Sequence, residues 1–135
     1  MLALVGPVAL LGLYVVTHGQ LTPGGGFQGG LLLGAAPLLV YLAGQAMAFE
    51  RLTPMPVLDL EEGSGAAGFV VVGLIGMMAG GAYLQNVLPL GLIGAFFSGG
   101  NLPVINLAVG LEVSAGVVIV VVEFVHQSML GRRRR

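Results

Sequence analysis

Four long apolar runs, almost free of charge, dominate this sequence of 135 residues. They extend from about Leu2 to Val16, Phe27 to Phe49, Ala66 to Leu84 and Ile105 to Phe124. At a rise of about 1.5 Å per residue, a helix over any of the last three can cross a hydrocarbon core roughly 30 Å thick. The pattern therefore predicts an all-α membrane protein with four transmembrane helices in one domain, residues 1–135.

The first run is the weakest of the four because it is the shortest. A tilted helix covered by a partner, a truncated helix and a cleaved signal peptide are the three interpretations that its length allows. The run has neither a basic start nor a small-residue cleavage site, which favours a retained helix.

Charge is scarce in the whole chain. Only 8% of the residues are charged, 56% are hydrophobic and the mean hydropathy is +1.00. A soluble domain of this size needs a charged exterior, so lipid is the expected solvent. The chain has no cysteine, which excludes disulfides and thiolate-ligated clusters.

The arginines predict the orientation in the membrane. Arg51 and the terminal run from Arg132 to Arg135 fall on the same side if the number of spans is even. Because basic residues stay on the cytoplasmic side, we expect a multi-pass protein of the cell (inner) membrane with both termini in the cytoplasm. The arginine run is too small a surface to indicate nucleic-acid binding, and contact with anionic lipid is favoured.

The segment from Glu50 to Gly65 is expected to be a solvated cytoplasmic connection. It carries Glu50, Arg51 and three further acids, and two prolines favour an extended backbone. The acids lack paired helical spacing, so no metal site is predicted there.

Glycines crowd the start of the second run. The sequence reads Pro23, Gly24, Gly25, Gly26, Phe27, Gln28, Gly29, Gly30. A phosphate-binding loop is excluded because no Gly-Lys-Ser/Thr, nearby cation or preceding strand accompanies the glycines. We expect a sharp turn back into the membrane, with the Gln28 amide bonding free backbone groups or a partner.

Small residues also recur at helical spacing. Gly26, Gly30 and Gly34 stand four apart, as do Gly76 and Gly80. Residues four apart share a helix face, and glycine there lets another backbone approach closely in lipid. The grooves serve either a partner subunit or the chain's own bundle.

Glu112 is an acid inside the fourth apolar run. An ionised, unpaired carboxylate at that depth costs several kcal/mol, so the group must be neutral, paired or hydrated. Glu123, eleven positions later, falls on nearly the same face about 16 Å away along the axis. The two acids indicate either an ion route or a buried polar contact with another helix.

His18 follows the first run beside two polar residues, Thr17 and Gln20. It can load protons at a pathway mouth or bond the glycine turn, and the second interpretation is favoured since no proton partner is visible. His18 and His126 lie in different helices at opposite faces, so neither a metal site nor a cofactor is predicted. The serines lack a nucleophile frame, and the chain is expected to be noncatalytic.

Two stretches resemble the B subunit, or MnhB domain, of Mrp-type multisubunit sodium/proton antiporters. They run from His18 to Gly30 and from Leu102 to Gly116. The resemblance implies a small subunit of a large hetero-oligomeric membrane complex that exchanges sodium for protons. Similar modules belong to membrane-bound hydrogenases and other complex I-like assemblies, and His18, the glycine turn and Glu112 are the residues it marks.

Three functions follow as hypotheses. The chain scaffolds and completes a sodium or proton path in an antiporter, it serves the ion-translocating module of a redox-driven complex, or it is purely structural. The chain has no lysine and so lacks the lysine relays of the large antiporter-like subunits. Its expected partners are other membrane subunits, the lipid bilayer, and sodium ions or protons.

Overall fold

The computed structural model describes residues 1–95 and 98–133. Side chains are described as far as residue 127. The terminal arginine run therefore lies outside the described side chains. The described part is all-helical, and its five helices are α1 Leu2–His18, α2 Gly26–Leu42, α3 Ala46–Leu52, α4 Met55–Met78 and α5 Leu102–Arg133.

The long helices form a row in the order α1, α2, α5, α4. α2 and α5 run parallel, because residues 26, 30 and 34 of α2 meet residues 106, 110 and 114 of α5 in turn. α1 is antiparallel to α2, and α4 is antiparallel to α5. The starts of α1 and α4 and the end of α5 thus share one end of the row, which we call the α3 end, and the glycine turn lies at the other.

The expected extended connection from Glu50 to Gly65 is wrong, because most of it is helical. Pro54 is the N-cap of α4 and Pro56 lies in its first turn. Proline is well tolerated there, since the first turn of a helix has N–H groups without intrahelical partners and the ring fixes a helical φ. The two prolines therefore start a helix that continues through the acids to Met78.

Two glycines end helices earlier than the apolar runs suggest. Gly44 has φ of +79° and Gly80 has φ of +84°, a region that glycine adopts without steric cost. At each, the next N–H reaches back to close the helix: Gln45 N–H to Val40 O at 3.2 Å and Gly81 N–H to Gly76 O at 3.2 Å. This is the Schellman arrangement. The predicted span 27–49 is thereby split into α2 and α3, and the span 66–84 stops at residue 78.

The apolar core lies toward the α3 end. It joins α2, α3, α4 and α5 through Val40, Phe49, Leu58, Ala115, Val118 and Val122. Phe49 is buried and its ring lies 5.2 Å from that of Tyr41. The short helix α3 thus closes one end of the core.

The predicted all-α membrane class is confirmed. Within the described residues, Met55–Met78 and Leu102–Gln127 are long and apolar enough to cross a membrane. α1 and α2 are apolar helices of 17 residues each. α5 is longer than the predicted 105–124 at both ends.

Candidate functional site

The glycine stripe of α2 forms a seam with α5. A Cβ at Gly30 would lie 2.8 Å from the Gly110 carbonyl oxygen, and one at Gly34 would lie 2.8 Å from the Ser114 carbonyl oxygen. Gly26 meets Asn106 in the same way. Distances this short leave no room for a side chain, so these glycines bring the two backbones into direct contact. The stripe serves the chain's own helices.

Gly29 forms a second close contact, with α1. A Cβ there would lie 2.7 Å from the backbone nitrogen of Val16 and 2.8 Å from the Gly12 carbonyl oxygen. Gly12 is itself buried against Leu33 of α2. Adjacent glycines, Gly29 and Gly30, therefore place α2 against both of its neighbours.

The glycine turn encloses the side chain of Asn106. The Gly26 N–H donates to Asn106 Oδ1 at 3.2 Å, which satisfies one of the free donors at the start of α2. A Cβ at Gly19 would lie 2.6 Å from Asn106 Nδ2. The sharp bend itself is at Gly24, whose φ is +120°.

His18 remains on its own helix. Its ring stacks on Tyr14 with centroids 4.2 Å apart, and Nδ1 lies 3.1 Å from the Tyr14 carbonyl oxygen. Nδ1 also lies 3.0 Å from the Thr17 hydroxyl, so it either donates to the Tyr14 carbonyl oxygen or accepts from Thr17, according to the tautomer. The His18 carbonyl accepts from the N–H groups of Leu21 and Thr22, which precede the glycine turn, so the described contacts of His18 do not include the expected bond to that turn.

The other predicted turn and packing residues are dispersed. Pro23 and Gln28 are exposed. Gly76 is buried against residues 82–85 just beyond α4, and Gly80 lies outside that helix with open space around it. Gly76 and Gly80 therefore do not form a common groove, because Gly80 serves as the helix stop.

A polar contact joins α4 to α5. The Ser114 hydroxyl lies 3.0 Å from Glu61 Oε1 and 3.0 Å from the Leu111 carbonyl oxygen. Ser114 is 7% exposed and Glu61 is half-buried. One hydroxyl proton serves one acceptor at a time, so the carboxylate and the carbonyl compete for it. Glu61, expected on a solvated loop, instead packs between helices.

Two more acids lie along the contact between α4 and α5, each opposite a glycine of the other helix. The half-buried Glu112 lies against Gly65, where a Cβ would be 2.8 Å from Glu112 Cβ. Glu62 Oε1 lies 3.4 Å from the corresponding position at Gly116. The missing side chain of Gly116 leaves space for the exposed Glu62 carboxylate, and that of Gly65 lets the two helices approach closely at Glu112. Glu112 therefore packs against the backbone of α4.

A cavity of about 250 Å³ opens over the Glu61–Ser114 contact. It lies between α2 and α4, with α5 as its floor, and its other walls are mainly apolar: Leu33, Gly34, Pro37, Leu52, Thr53, Leu58 and Val118. Arg51 lines a different cavity, with Gln45, Met47, Ala48 and Leu52. Glu61 thus borders a mainly apolar cavity, and Leu52, the residue after Arg51, lines both cavities.

The remaining titratable candidates stand apart from this seam. Glu123 is exposed and lines a cavity of about 260 Å³ with Ile119, Val120, Phe124 and Gln127. His126 and Glu50 line another, of about 370 Å³, near the core at the α3 end. Glu112 and Glu123 therefore belong to separate surroundings.

Sequence reasoning did not select Glu61, Ser114 or Asn106 as site residues. Ser114 and Asn106 are polar positions inside the fourth apolar run, which was a usable signal. The sequence around Glu61 gave no such signal, since the role of Glu61 depends on α4 beginning at residue 55.

Known proteins resemble this chain in both sequence and fold. The uncharacterized protein MJ1307 of Methanocaldococcus jannaschii is 38% identical over 116 residues, which are 78% of this chain and 42% of that protein. A chain in the structure of the membrane-bound sulfane sulfur reductase, an archaeal respiratory membrane complex, matches with a TM-score of 0.70 and 36% identity. The match covers 86% of this chain and 51% of that one.

The chain thus spans about half the length of these relatives or less. The profile of the domain related to the MnhB subunit of Na+/H+ antiporters matches residues 1–119. Together with the respiratory neighbour, this match indicates a membrane-embedded subunit of an antiporter-like complex and confirms the resemblance seen in the two motifs. The chain belongs to the family of domains related to the MnhB subunit of Na+/H+ antiporters.

Proposed function

We propose that this chain is a noncatalytic membrane subunit that contributes carboxyl groups to a sodium or proton path in a multisubunit antiporter-like complex. The observation that carries the proposal is the buried Ser114 hydroxyl bonded to the half-buried Glu61 across the α4–α5 seam, with the half-buried Glu112 packed against Gly65 of the same two helices. Family membership supports the antiporter-like complex, and the α4–α5 seam provides the carboxyl groups.

The physical reason is that carboxyl groups half-buried between membrane helices are costly and commonly mark ion or proton paths. A carboxyl group at such a position is stabilised by a hydrogen-bond partner or by a bound cation. The Ser114 hydroxyl can donate to an ionised Glu61, and it can accept from a protonated one while donating to the Leu111 carbonyl. The contact therefore persists in both protonation states, as a path residue requires.

The experiment compares Glu61→Gln and Glu112→Gln in the assembled complex. Sodium-driven proton exchange is measured in vesicles with a pH-sensitive dye, and the subunit content of the same vesicles is measured by mass spectrometry. We expect each variant to lower exchange several-fold at unchanged subunit content. Asp59→Asn, an exposed acid of the same helix, is the matched control and should leave exchange unchanged.

Full exchange by the Glu61→Gln/Glu112→Gln double variant in an intact complex would remove the seam from the mechanism. The purely structural alternative would then stand. It is supported by the glycine seam, which shows that many small residues of this chain serve packing.

A redox-driven complex is the second candidate setting. It is favoured by the neighbour, which is a respiratory membrane complex. Mass spectrometry of the gently solubilised complex distinguishes the two: copurified iron–sulfur or nickel–iron subunits indicate a redox-driven assembly, and antiporter subunits alone indicate exchange driven by an ion gradient.

A further inference from the structure

An apolar arm projects from the end of the molecule that carries the glycine turn. It comprises residues 86–95 in the connection between α4 and α5, and we call it the 86–95 arm. Its tip exposes Leu90 (73%), Leu92 (85%) and Ile93 (101%). The chain has no charged residue from Gly63 to Leu111, so nothing charged surrounds these side chains in sequence.

The base of the arm is fixed by Asn101, which is 3% exposed. Asn101 Nδ2 donates to the Gln85 carbonyl oxygen at 3.0 Å, and Asn101 Oδ1 accepts from the Leu88 N–H at 3.2 Å. The Asn101 N–H in turn donates to Asn86 Oδ1 at 2.7 Å. These bonds hold the base of the arm in place, which lowers the entropic cost of binding through it.

The backbone of the tip is open. Within the described part of the chain, the N–H groups from Leu90 to Gly94 have no hydrogen-bond acceptor. Hydrocarbon would leave these donors unsatisfied, and irregular backbone at membrane depth is found only where protein or a water-filled cavity meets it. Water would satisfy the donors but would leave three large apolar side chains exposed. A protein surface can satisfy both.

An interfacial lipid anchor is a poorer explanation. Segments that sit among lipid headgroups are typically rich in Trp, Tyr, Lys or Arg. The arm contains none of these residues, and its sequence is Asn-Val-Leu-Pro-Leu-Gly-Leu-Ile-Gly-Ala.

A cavity beneath the arm provides a place for a partner side chain. Its volume is about 170 Å³, and its lining is apolar apart from one residue: Val72, Ile75, Val87, Leu88, Asn101 and Val104. An engineered apolar cavity of about 150 Å³ binds benzene, so this one can hold an aliphatic or aromatic side chain. Such anchored side chains dominate the binding energy of protein interfaces.

We propose that the 86–95 arm is the docking element for an adjoining membrane subunit. The partner surface is uncharged, offers carbonyl oxygens to the open N–H groups, and inserts an apolar side chain into the cavity below. This inference rests on the proposed function in one respect, namely that the chain works inside a multisubunit complex. Its test measures contact with a neighbouring subunit and not ion exchange, so the docking proposal and the proposed function can fail separately.

The test uses the cysteine-free chain as a clean background. Ile93→Cys carries a benzophenone maleimide, and the complex is irradiated in its native membrane and analysed by mass spectrometry. We expect a covalent adduct with a different membrane subunit, lost when the complex is dissociated before irradiation. Because Ile93 is fully exposed, the substitution leaves the fold of the chain intact.

Met47→Cys is the matched control, since Met47 is 77% exposed on α3 at the opposite end of the row. We expect Met47→Cys to give at most a small fraction of the protein adducts that Ile93→Cys gives. Adducts of Ile93→Cys with lipid alone, with a second copy of this chain, or at the same yield as Met47→Cys would overturn the proposal.

Discussion

Asn106 couples the glycine turn to α5. Its Oδ1 accepts an N–H that has no partner within α2, and its amide fills the space that Gly19 and Gly25 leave open. Asn106 is half-buried, so water is a poor substitute for its amide as the partner of the Gly26 N–H. One side chain therefore holds the connection between α1 and α2 against the start of α5.

Asn106→Ala should destabilise the chain. The Gly26 N–H loses its acceptor in a confined place, which costs roughly 1–3 kcal/mol in the free energy of unfolding. Hydrogen exchange at the start of α2 should accelerate, and denaturant unfolding in detergent measures the loss of stability. Gln28→Ala, an exposed change in the same helix, is the control. Unchanged exchange around Gly26 in Asn106→Ala would contradict the coupling.

The candidate site was only partly predictable at this scale. Glu112 was found because an acid inside an apolar run is costly wherever the helices lie. Its neighbours were not, since Glu61 and Ser114 are 53 residues apart and meet only through the antiparallel register of α4 and α5. Register between helices depends on side-chain fit, which no local pattern of one helix records.

At the scale of elements, the apolar runs predicted the four long helices but not all of their ends. The chain has 24 glycines, and the same residue type packs inside α2 at Gly30 and stops a helix at Gly44 or Gly80. Which role a glycine takes depends on what its neighbours bury. The prolines before α4 were ambiguous for a similar reason, because proline both ends helices and begins them.

The seam between α2 and α5 gives a prediction at this scale. Gly30→Ala adds a Cβ 2.8 Å from the Gly110 carbonyl oxygen and 2.9 Å from Val113 Cβ, so the two helices must separate. Overpacking of this kind costs roughly 1–3 kcal/mol. We expect a lower melting temperature in detergent, measured by circular dichroism.

The control for Gly30→Ala is Gly63→Ala. Gly63 lies within α4 with nothing in reach of an added Cβ, and alanine there improves helix propensity. The control should therefore be as stable as the parent chain or more so. Equal melting temperatures for the two variants would show that the α2–α5 seam tolerates a side chain at residue 30.

The molecule as a whole is an open row, and its outer helices are apolar on their free sides. Leu10 of α1 is 70% exposed and Met78 of α4 is 87% exposed. Such surfaces are costly in water and carry little penalty in lipid, where packing depends on fit. This architecture suits a subunit with neighbours on both flanks, and the 86–95 arm adds a contact at one end.

The row also orients the charges along its axis. The start of α1, the short helix α3 with Arg51, and the end of α5 lie at the α3 end, and the chain continues from α5 into the terminal arginines. The glycine turn and the 86–95 arm lie at the opposite end. By the positive-inside rule we therefore still predict that the end with Arg51 faces the cytoplasm.

Single cysteines test this orientation because the chain has none of its own. Met47→Cys, on α3, should react with a membrane-impermeant maleimide in inside-out vesicles. Leu21→Cys, in the connection that follows α1 at the opposite end, should react in right-side-out vesicles. The exposed fractions, 77% for Met47 and 39% for Leu21, make both sites reachable. The reverse pattern would invert the orientation. Reaction of both sites from one side would mean that the row does not cross the bilayer, because the two positions lie at opposite ends of helices that cross it together or not at all.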